Sequence, residues 1–350
     1  MNLLVRCIRD RDWRCRTGTA VGVTVLLAAI VYGRFAWAKG PDSAHLVVYA
    51  FSTQEEALTQ AIFPAFEQAW EAETGRELTV EGVFGPSATL AGQINLGAPA
   101  DVALFSHAQH VTHLKVGHRV REDNQPVVIS RSPMVIVTRP GTQPAITGFS
   151  DLARPGLQLL HADPLSSGAG QWAVLAEYGS AWLESSDPQA AEAQVQAIWN
   201  NVRLLGASAR ATLTLFELGA GDAFVTYEND ARLAQQRGVP LEIVVPSRTI
   251  VAQHVAVIVD GNVTPAERPV AQAFVDYLCG EAAQQAFRRY HLRPADLEAD
   301  PFPEIAQPFT VDDLGGWSQA YTKVVEQLWQ TQVEPRLTLD AAPRLLDAGE

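Results

Sequence analysis

The feature that most constrains the fold is a pattern that occurs four times: a short apolar run, a loop of small and hydroxyl-bearing residues, and an amphipathic helix. The clearest copy has an apolar run at 157–162, a loop at 163–170, and apolar residues spaced by three and four from Trp172 to Trp182. The other runs are 47–51, 78–84 and 202–205. Alternating strands and helices predict an α/β fold whose strand-to-helix loops gather at the carboxyl ends of the strands, where ligands bind.

These loops suit the binding of an anion. Ser167 is the predicted N-cap of the helix that follows the run 157–162. The first turn of a helix has unpaired N–H groups and a partial positive charge, and small residues let an oxyanion approach them. One copy alone is equally typical of an ordinary capped helix. Four copies at one sheet edge predict a cage of neutral hydrogen-bond donors.

The loop after the run 47–51 also has a purely structural interpretation. Ser52 or Thr53, with a glutamate three residues later, predicts a capping box at the start of the following helix. In that arrangement Glu55 and Glu56 face the helix start or solvent. Neither carboxylate is then expected to face a bound anion.

In their order along the chain, the segments resemble the periplasmic sulfate-binding proteins that serve ABC importers, from about Leu46 to about Trp329. The residues that carry the resemblance are Phe66 and Trp70, Glu73-Thr74-Gly75, Gly85-Pro86-Ser87, Ala100-Asp101-Val102, Pro164-Leu165-Ser166-Ser167-Gly168, Trp172, Gly206-Ala207-Ser208-Ala209-Arg210, Tyr227-Glu228-Asn229-Asp230-Ala231, Leu292-Arg293-Pro294 and Leu314-Gly315-Gly316-Trp317. The resemblance implies a two-lobed fold of the periplasmic-binding-protein type. Each lobe would be a mixed sheet flanked by helices, with the ligand cleft between the lobes.

The resemblance also implies a set of ligand-binding residues: Thr53, Ser87, Ser167, Gly168, Ala169, Ala209 and Tyr227. Three of them depart from the family pattern, because Thr53 stands at the place of an aspartate, Ala169 of a glycine and Tyr227 of a tryptophan whose indole N–H donates. Each replacement still offers an N–H or O–H donor. The resemblance therefore implies a tetrahedral oxyanion with sulfate as the first candidate, and leaves thiosulfate or molybdate open.

The same resemblance leads us to expect interleaved lobes. Segments 46–126 and 247–300 would form lobe 1, and 127–246 would form lobe 2. A strand at 127–137 would carry the chain across, and strands at 241–246 and 254–259 would bring it back. A C-terminal helical segment at 301–330, with its helix at 317–329 packed across the molecule, and a tail at 331–350 would follow.

The N-terminus predicts export. Five arginines between residues 6 and 16 precede an uncharged stretch at 20–32 and the small-residue site Ala36-Trp37-Ala38, which is typical of a secretory signal peptide at 1–38. An uncleaved anchor in the inner membrane is the alternative, because Arg34 and Phe35 fit poorly before the cleavage site. The predicted location is the periplasm in both cases.

Charge and cysteine content agree with an exported protein. The leader contains six arginines and two aspartates, so its removal changes the formal net charge from −13 to −17, which argues against a nucleic-acid partner. Cleavage also leaves Cys279 as the only cysteine, so no intramolecular disulfide can form. The helical pattern around Cys279 predicts a small buried side chain.

Other chemistries are less well supported. His107, His110 and His113 are spaced by three residues and could hold a metal, but a polar helix face is the favoured interpretation, and we predict no metal and no cofactor. The G-x-S-x-G and G-x-x-x-x-G-K-[ST] motifs are absent, so we predict no catalytic residue and no enzyme. The prediction is a monomeric solute-binding protein with an inorganic oxyanion and the membrane subunits of an ABC importer as partners. A membrane-anchored oxyanion sensor and an exported hydrolase are the alternatives.

Overall fold

The computed structural model describes residues 43–296 and 301–337. The leader predicted at 1–38 and most of the tail predicted at 331–350 lie outside the described residues. Within the two described ranges, no helix is long and apolar enough to cross a membrane. The choice between a cleaved leader and an anchor stays a prediction.

The described residues form alternating strands and helices. The strands are β1 (Ala44–Phe51), β2 (Leu78–Gly85), β3 (Val102–Phe105), β4 (Val127–Thr138), β5 (Leu159–Ala162), β6 (Val202–Gly206), β7 (Ala223–Tyr227), β8 (Glu242–Val244), β9 (Arg248–Ile258), β10 (Arg293–Pro294) and β11 (Gln307–Phe309). The helices are α1 (Phe63–Thr74), α2 (Ser87–Asn95), α3 (Gln109–Val116), α4 (Gly168–Ser185), α5 (Pro188–Trp199), α6 (Ala209–Glu217), α7 (Glu228–Gln236), α8 (Arg268–Cys279), α9 (Glu281–Arg289) and α10 (Gly316–Ala320), which continues as a π-helix over Tyr321–Val333. The α/β fold class is confirmed.

The strands pair in the order β2-β1-β3-β9-β4-β7-β5-β6. At one end β1 pairs in parallel with β2 and β3, and at the other β5 pairs in parallel with β6 and β7. Strands β4 and β9 lie between these two groups and pair antiparallel with each other. Each lobe therefore has a mixed sheet, as expected for the two-lobed fold.

Two long strands connect the lobes. The first part of β4, Val127 to Pro133, pairs with β9, and the second part, Met134 to Thr138, pairs with β7. Strand β9 in turn pairs with β3 through Val255 to Ile258. We propose the lobe boundaries at these crossings, as the sequence suggested: 46–126 with 247–300 for lobe 1 and 127–246 for lobe 2.

Each lobe has its own apolar core on both faces of its sheet. In lobe 1, Val48 and Phe274 belong to the cluster on one face, and Tyr49 and Phe105 to the cluster on the other. In lobe 2, the larger cluster surrounds Trp172. All residues of β3, β5 and β7 are buried, which is typical of strands covered by helices on both faces. These cores hold the carboxyl ends of the strands in fixed positions.

The C-terminal segment packs against lobe 2. Trp329 makes an edge contact with Trp199, and Phe309 occupies the space that a Cβ atom at Gly179 would need. Trp317 reaches further and stacks on His107 of lobe 1. The helix expected at 317–329 therefore contacts both lobes. By contrast, the prediction of a buried Cys279 is wrong, because its side chain is exposed at the end of α8.

Candidate functional site

Three helix starts meet between the lobes. Helix α2 follows β2 directly, with Pro86 at the N-cap position and no side-chain cap. Helix α4 follows β5 and is capped by Ser167, whose Oγ accepts a hydrogen bond from the Ala169 N–H at 3.2 Å. Helix α6 follows β6 and is capped by Ser208, whose Oγ accepts from the Ala211 N–H at 3.1 Å. The predicted N-cap at Ser167 is confirmed.

These loops line a small cavity of about 10 Å³ at the carboxyl ends of the strands. The lining residues are Phe51, Ser52, Thr53, Gly85, Pro86, Ser87, Ser106, Ser167, Gly168, Ala169, Ser208, Ala209 and Tyr227. All seven residues that sequence reasoning selected are among them, so the structure brings the whole predicted set together. No charged side chain of the described residues lines this cavity.

The cavity is lined by buried hydroxyl groups. The exposed fractions are 3% for Thr53, 2% for Ser87, 3% for Ser167 and 1% for Tyr227. The Thr53 Oγ1 and the Tyr227 hydroxyl make no well-formed hydrogen bond with the described residues. Buried polar atoms without partners are rare in proteins because desolvation is costly, so these hydroxyls indicate a polar ligand.

Ser87 and Ser167 already accept hydrogen bonds from the backbone. Ser87 Oγ accepts from the Ser106 N–H at 3.1 Å, and Ser167 Oγ accepts from the Ala169 N–H. A hydroxyl can accept and donate at once, so each keeps its own proton for the cavity. The Ala169 N–H, which sequence reasoning assigned to the anion together with that of Gly168, donates to Ser167 Oγ in this structure. Gly168 and Ala209, as first residues of their helices, have N–H groups without an intrahelical partner.

Gly168 is sterically required. A Cβ atom at this position would lie 1.7 Å from Ser106 Oγ, 2.9 Å from Ser106 Cβ and 3.2 Å from His110 Nε2. The first of these distances is far inside van der Waals contact. Only glycine lets the start of α4 approach Ser106 this closely.

The nearest charges form a network beside the cavity. Arg210, which follows Ala209, makes a two-point ion pair with Glu56 of lobe 1, one of its bonds being 2.9 Å long, and its Nε lies 3.2 Å from Asp230 Oδ1. Desolvation would raise the pKa of Glu56, but the hydrogen bond and charge of Arg210 outweigh it and lower that pKa. Desolvation raises the pKa of the fully buried Asp230, and Arg210 opposes that rise. Arg210 therefore pairs with the two carboxylates of Glu56 and Asp230.

The predicted capping box at the first loop is wrong. The helical turns that begin at Ser52 and Glu55 have no side-chain cap. Glu56 turns to Arg210 instead, and Glu55 is exposed. As expected, neither carboxylate lines the cavity.

The three histidines are not a polar helix face, so that interpretation is wrong. His107 and His110 are fully buried and stacked with ring centroids 4.0 Å apart, and only His113 is partly exposed. Burial lowers the pKa of His107 to about 3 and that of His110 well below its usual value, so both rings are neutral near pH 7. In the described part of the chain, no group of three or more histidine, cysteine or carboxylate side chains could hold a metal.

The lobes touch directly around the cavity. The N–H groups of Ala88 and Thr89 in α2 both donate to the Ser166 carbonyl of lobe 2, at 3.1 and 3.3 Å. His107 Nε2 and Gln171 Oε1 are 2.7 Å apart across the same boundary. These contacts close the cleft over the cavity.

A larger depression of about 630 Å³ lies elsewhere on lobe 1. It is lined by Trp70, Arg76, Asp101 and Asn262 among others, next to the first residues of β1. That is the opposite edge of the sheet from the strand-to-helix loops. Ligands of open α/β sheets bind at the carboxyl ends of the strands, so we assign the site to the smaller cavity.

Sequence reasoning missed Ser106. It directly follows the buried strand β3 and lines the cavity. A signal was present, since Ser106 is a hydroxyl residue after an apolar run, like the other loops.

Comparison with known proteins gives consistent results. Residues 46–293 match the family described as bacterial extracellular solute-binding protein. The chain is 32% identical over 319 residues to the sulfate-binding protein of Escherichia coli K12, covering 86% of this chain and 93% of that protein. It is 30% identical over 292 residues to the sulfate-binding protein of Synechococcus elongatus, covering 80% and 82%. The structure of the sulfate-binding protein SubI from Mycobacterium tuberculosis H37Rv matches with a TM-score of 0.73 and 28% identity, over 80% of this chain and 99% of that chain.

Proposed function

Because this chain belongs to the bacterial extracellular solute-binding proteins, we propose that it captures sulfate and delivers it to an ABC-type importer. Members of this family bind a solute and do not transform it. The observation that carries the choice of ligand is the composition of the cavity lining: it offers hydroxyl and backbone N–H donors and, among the described residues, no carboxylate.

The size of the cavity supports a small ion. Its volume of about 10 Å³ is far below the roughly 300–1,000 Å³ that is usual for pockets holding organic ligands. The residues proposed to bind the ion are Thr53, Ser87, Ser167, Gly168, Ala169, Ala209 and Tyr227. Their donors surround the ion from both lobes.

The donor-only lining favours an unprotonated ion. At neutral pH sulfate carries no proton, so all its oxygens accept hydrogen bonds. Phosphate keeps at least one proton and needs an acceptor, usually a carboxylate. Each buried polar group without a partner costs on the order of 1–3 kcal/mol, and more when it is charged. The site should therefore bind sulfate and reject phosphate by about two orders of magnitude or more.

Isothermal titration calorimetry with sulfate, thiosulfate, molybdate and phosphate tests this proposal. We expect sulfate to bind most tightly and phosphate to compete only at far higher concentration. Phosphate competition at concentrations similar to sulfate would contradict the donor-only site. Tighter binding of thiosulfate or molybdate would keep the site and replace the ligand.

The partner and the location follow from the same proposal. We propose a periplasmic monomer that docks on the membrane subunits of its importer, released by cleavage after Ala38. Expression of the full chain in a bacterium, followed by cell fractionation and mass spectrometry, should find Lys39 as the new N-terminus. An intact leader in the membrane fraction would instead support the anchored form.

A further inference from the structure

Ser106 has the properties of a ligand-binding residue, although the family resemblance does not imply it. It follows β3 at the carboxyl end of the strand, lines the cavity, and is 1% exposed. Its Oγ makes no well-formed hydrogen bond with the described residues. The side chain therefore lines the cavity beside the Tyr227 hydroxyl, with which it makes no well-formed hydrogen bond.

The backbone of Ser106 is held from both lobes. Its N–H donates to Ser87 Oγ at 3.1 Å within lobe 1. Its carbonyl accepts a hydrogen bond from Trp172 Nε1 of lobe 2 at 2.9 Å. Because both backbone groups are engaged when the lobes are in contact, the backbone of Ser106 is held in place in the closed cleft.

The hydroxyl is close to two residues of the proposed site. A Cβ atom at Gly168 would come within 1.7 Å of Ser106 Oγ. Burial raises the pKa of the Tyr227 phenol, and a side-chain hydrogen bond with Ser106 opposes that rise. An ion that contacts the start of α4 and the Tyr227 hydroxyl would lie within reach of Ser106 as well.

We propose that the Ser106 hydroxyl donates directly to the bound oxyanion, so that the cage has one donor more than the seven-residue set. This inference rests on the proposed function. Donation would give the buried Ser106 hydroxyl, whose contact with the Tyr227 hydroxyl is not a well-formed hydrogen bond, an acceptor for its proton. It would also add a donor from lobe 1, close to the place where Tyr227 stands instead of tryptophan.

The test is calorimetry with sulfate on the Ser106→Ala variant. A hydrogen bond to a charged group corresponds to a roughly ten- to hundredfold change in affinity, so we expect sulfate to bind that much more weakly. Thr226→Val is the matched control. Thr226 is also 1% exposed and its Oγ1 also lacks a partner, but it does not line the cavity. Its removal should leave the affinity for sulfate unchanged.

The outcomes separate this inference from the proposed function. Wild-type affinity in Ser106→Ala would overturn the role of Ser106, and so would an equal loss in Thr226→Val. A wild-type protein that binds none of the four oxyanions would instead overturn the proposed function. Urea unfolding checks that both variants fold. If Ser106→Ala does not, Ser106→Cys, with its weaker S–H donor, should show the same direction of change.

Discussion

The two lobes contribute to the cavity in different ways. In lobe 2, the starts of α4 and α6 are capped by their own serines, and Ser167 serves both the helix and the cavity. In lobe 1, the start of α2 and the turn at Ser52 have no side-chain cap. Thr53 and Ser106 of that lobe have hydroxyls without partners.

The difference between capping and non-capping hydroxyls allows effects on folding stability to be distinguished from effects on ligand binding. A hydroxyl that caps a helix contributes to folding in the absence of any ligand. A buried hydroxyl without a well-formed hydrogen bond costs folding free energy and recovers it only when a ligand accepts its proton. Ser167 of lobe 2 is therefore held in place by its cap, whereas Thr53 and Ser106 of lobe 1 and Tyr227 of lobe 2 are donors that depend on the ligand. Substitutions in the two lobes should have distinguishable effects.

The largest effect is expected at Gly168, where the lobes are closest. In Gly168→Ala the new Cβ atom must displace Ser106 or shift the start of α4, so we expect a loss of sulfate affinity of more than about a hundredfold by calorimetry. Gly92→Ala in α2 is the control, since nothing lies within 4 Å of a Cβ atom there. Tight binding by Gly168→Ala would mean that the lobes are not in close contact when sulfate is bound.

The next effect compares one hydroxyl from each lobe. Ser167→Ala should weaken sulfate binding by about ten- to a hundredfold and also cost about 1 kcal/mol of folding stability, because the cap of α4 is lost. Thr53→Val should weaken binding to a similar degree without lowering stability, because its Oγ1 has no partner to lose. Calorimetry and urea unfolding of both variants measure the two quantities. Equal stability losses would break the comparison, and unchanged affinity in Ser167→Ala would contradict the site.

A smaller effect is expected from the ion pair that joins the lobes. Arg210 of lobe 2 and Glu56 of lobe 1 are 25% and 23% exposed, so the pair is only partly shielded from solvent. Glu56→Gln should weaken sulfate binding by up to about fivefold, mainly through faster release, because closure loses one contact. The exposed neighbour in Glu55→Gln should have no effect. Stopped-flow release rates distinguish the two variants.

The smallest effect is expected from pH on sulfate affinity. Among the described residues no carboxylate or histidine lines the cavity, and burial keeps His107 and His110 neutral. Affinity should change less than about twofold between pH 5.5 and 7. A strong dependence would mean that a titrating group contacts the ion.

Unlike the affinity for sulfate, the folding stability should depend on pH. Burial lowers the pKa of His107, His161 and His254 to about 3. Below about pH 6.5 these histidines bind protons in the unfolded chain but stay neutral in the folded protein. The free energy of unfolding contributed by them therefore falls as pH falls. Burial raises the pKa of Glu177, which acts in the opposite direction, and its Oε1 lies 3.2 Å from Nε2 of the equally buried His161, so the two groups titrate as a pair. Urea unfolding of Glu177→Gln should therefore show a steeper loss on acidification than the wild type.

The strands and helix caps that depend on residues close together in sequence could be predicted from local sequence patterns. The apolar runs predicted the strands that precede the loops of the site, and Ser167 was predicted correctly as the cap of α4. The seven predicted residues lie around one cavity because parallel strands place their following loops at one edge. Regular βα units make this part of the fold predictable.

What the sequence did not predict depends on partners far along the chain. Glu56 leaves the expected capping box because Arg210, which is 154 residues away, offers a two-point ion pair. His107 is buried because Trp172 and Trp317 cover it, and neither is near it in sequence. Ser106 lies against the start of α4, which is distant from it in sequence. Such contacts are set by how the lobes meet, and spacing along the chain does not encode them.

Trp317 has a consequence for how the molecule can be observed. Its half-buried indole stacks on His107 of lobe 1, with ring centroids 4.3 Å apart, and meets Trp172 of lobe 2 edge-on at 4.8 Å. Opening of the cleft would separate His107 from Trp172 and change the surroundings of the indole. The protein therefore carries an intrinsic fluorophore at the joint between its lobes, whose emission would follow each closure without any attached dye.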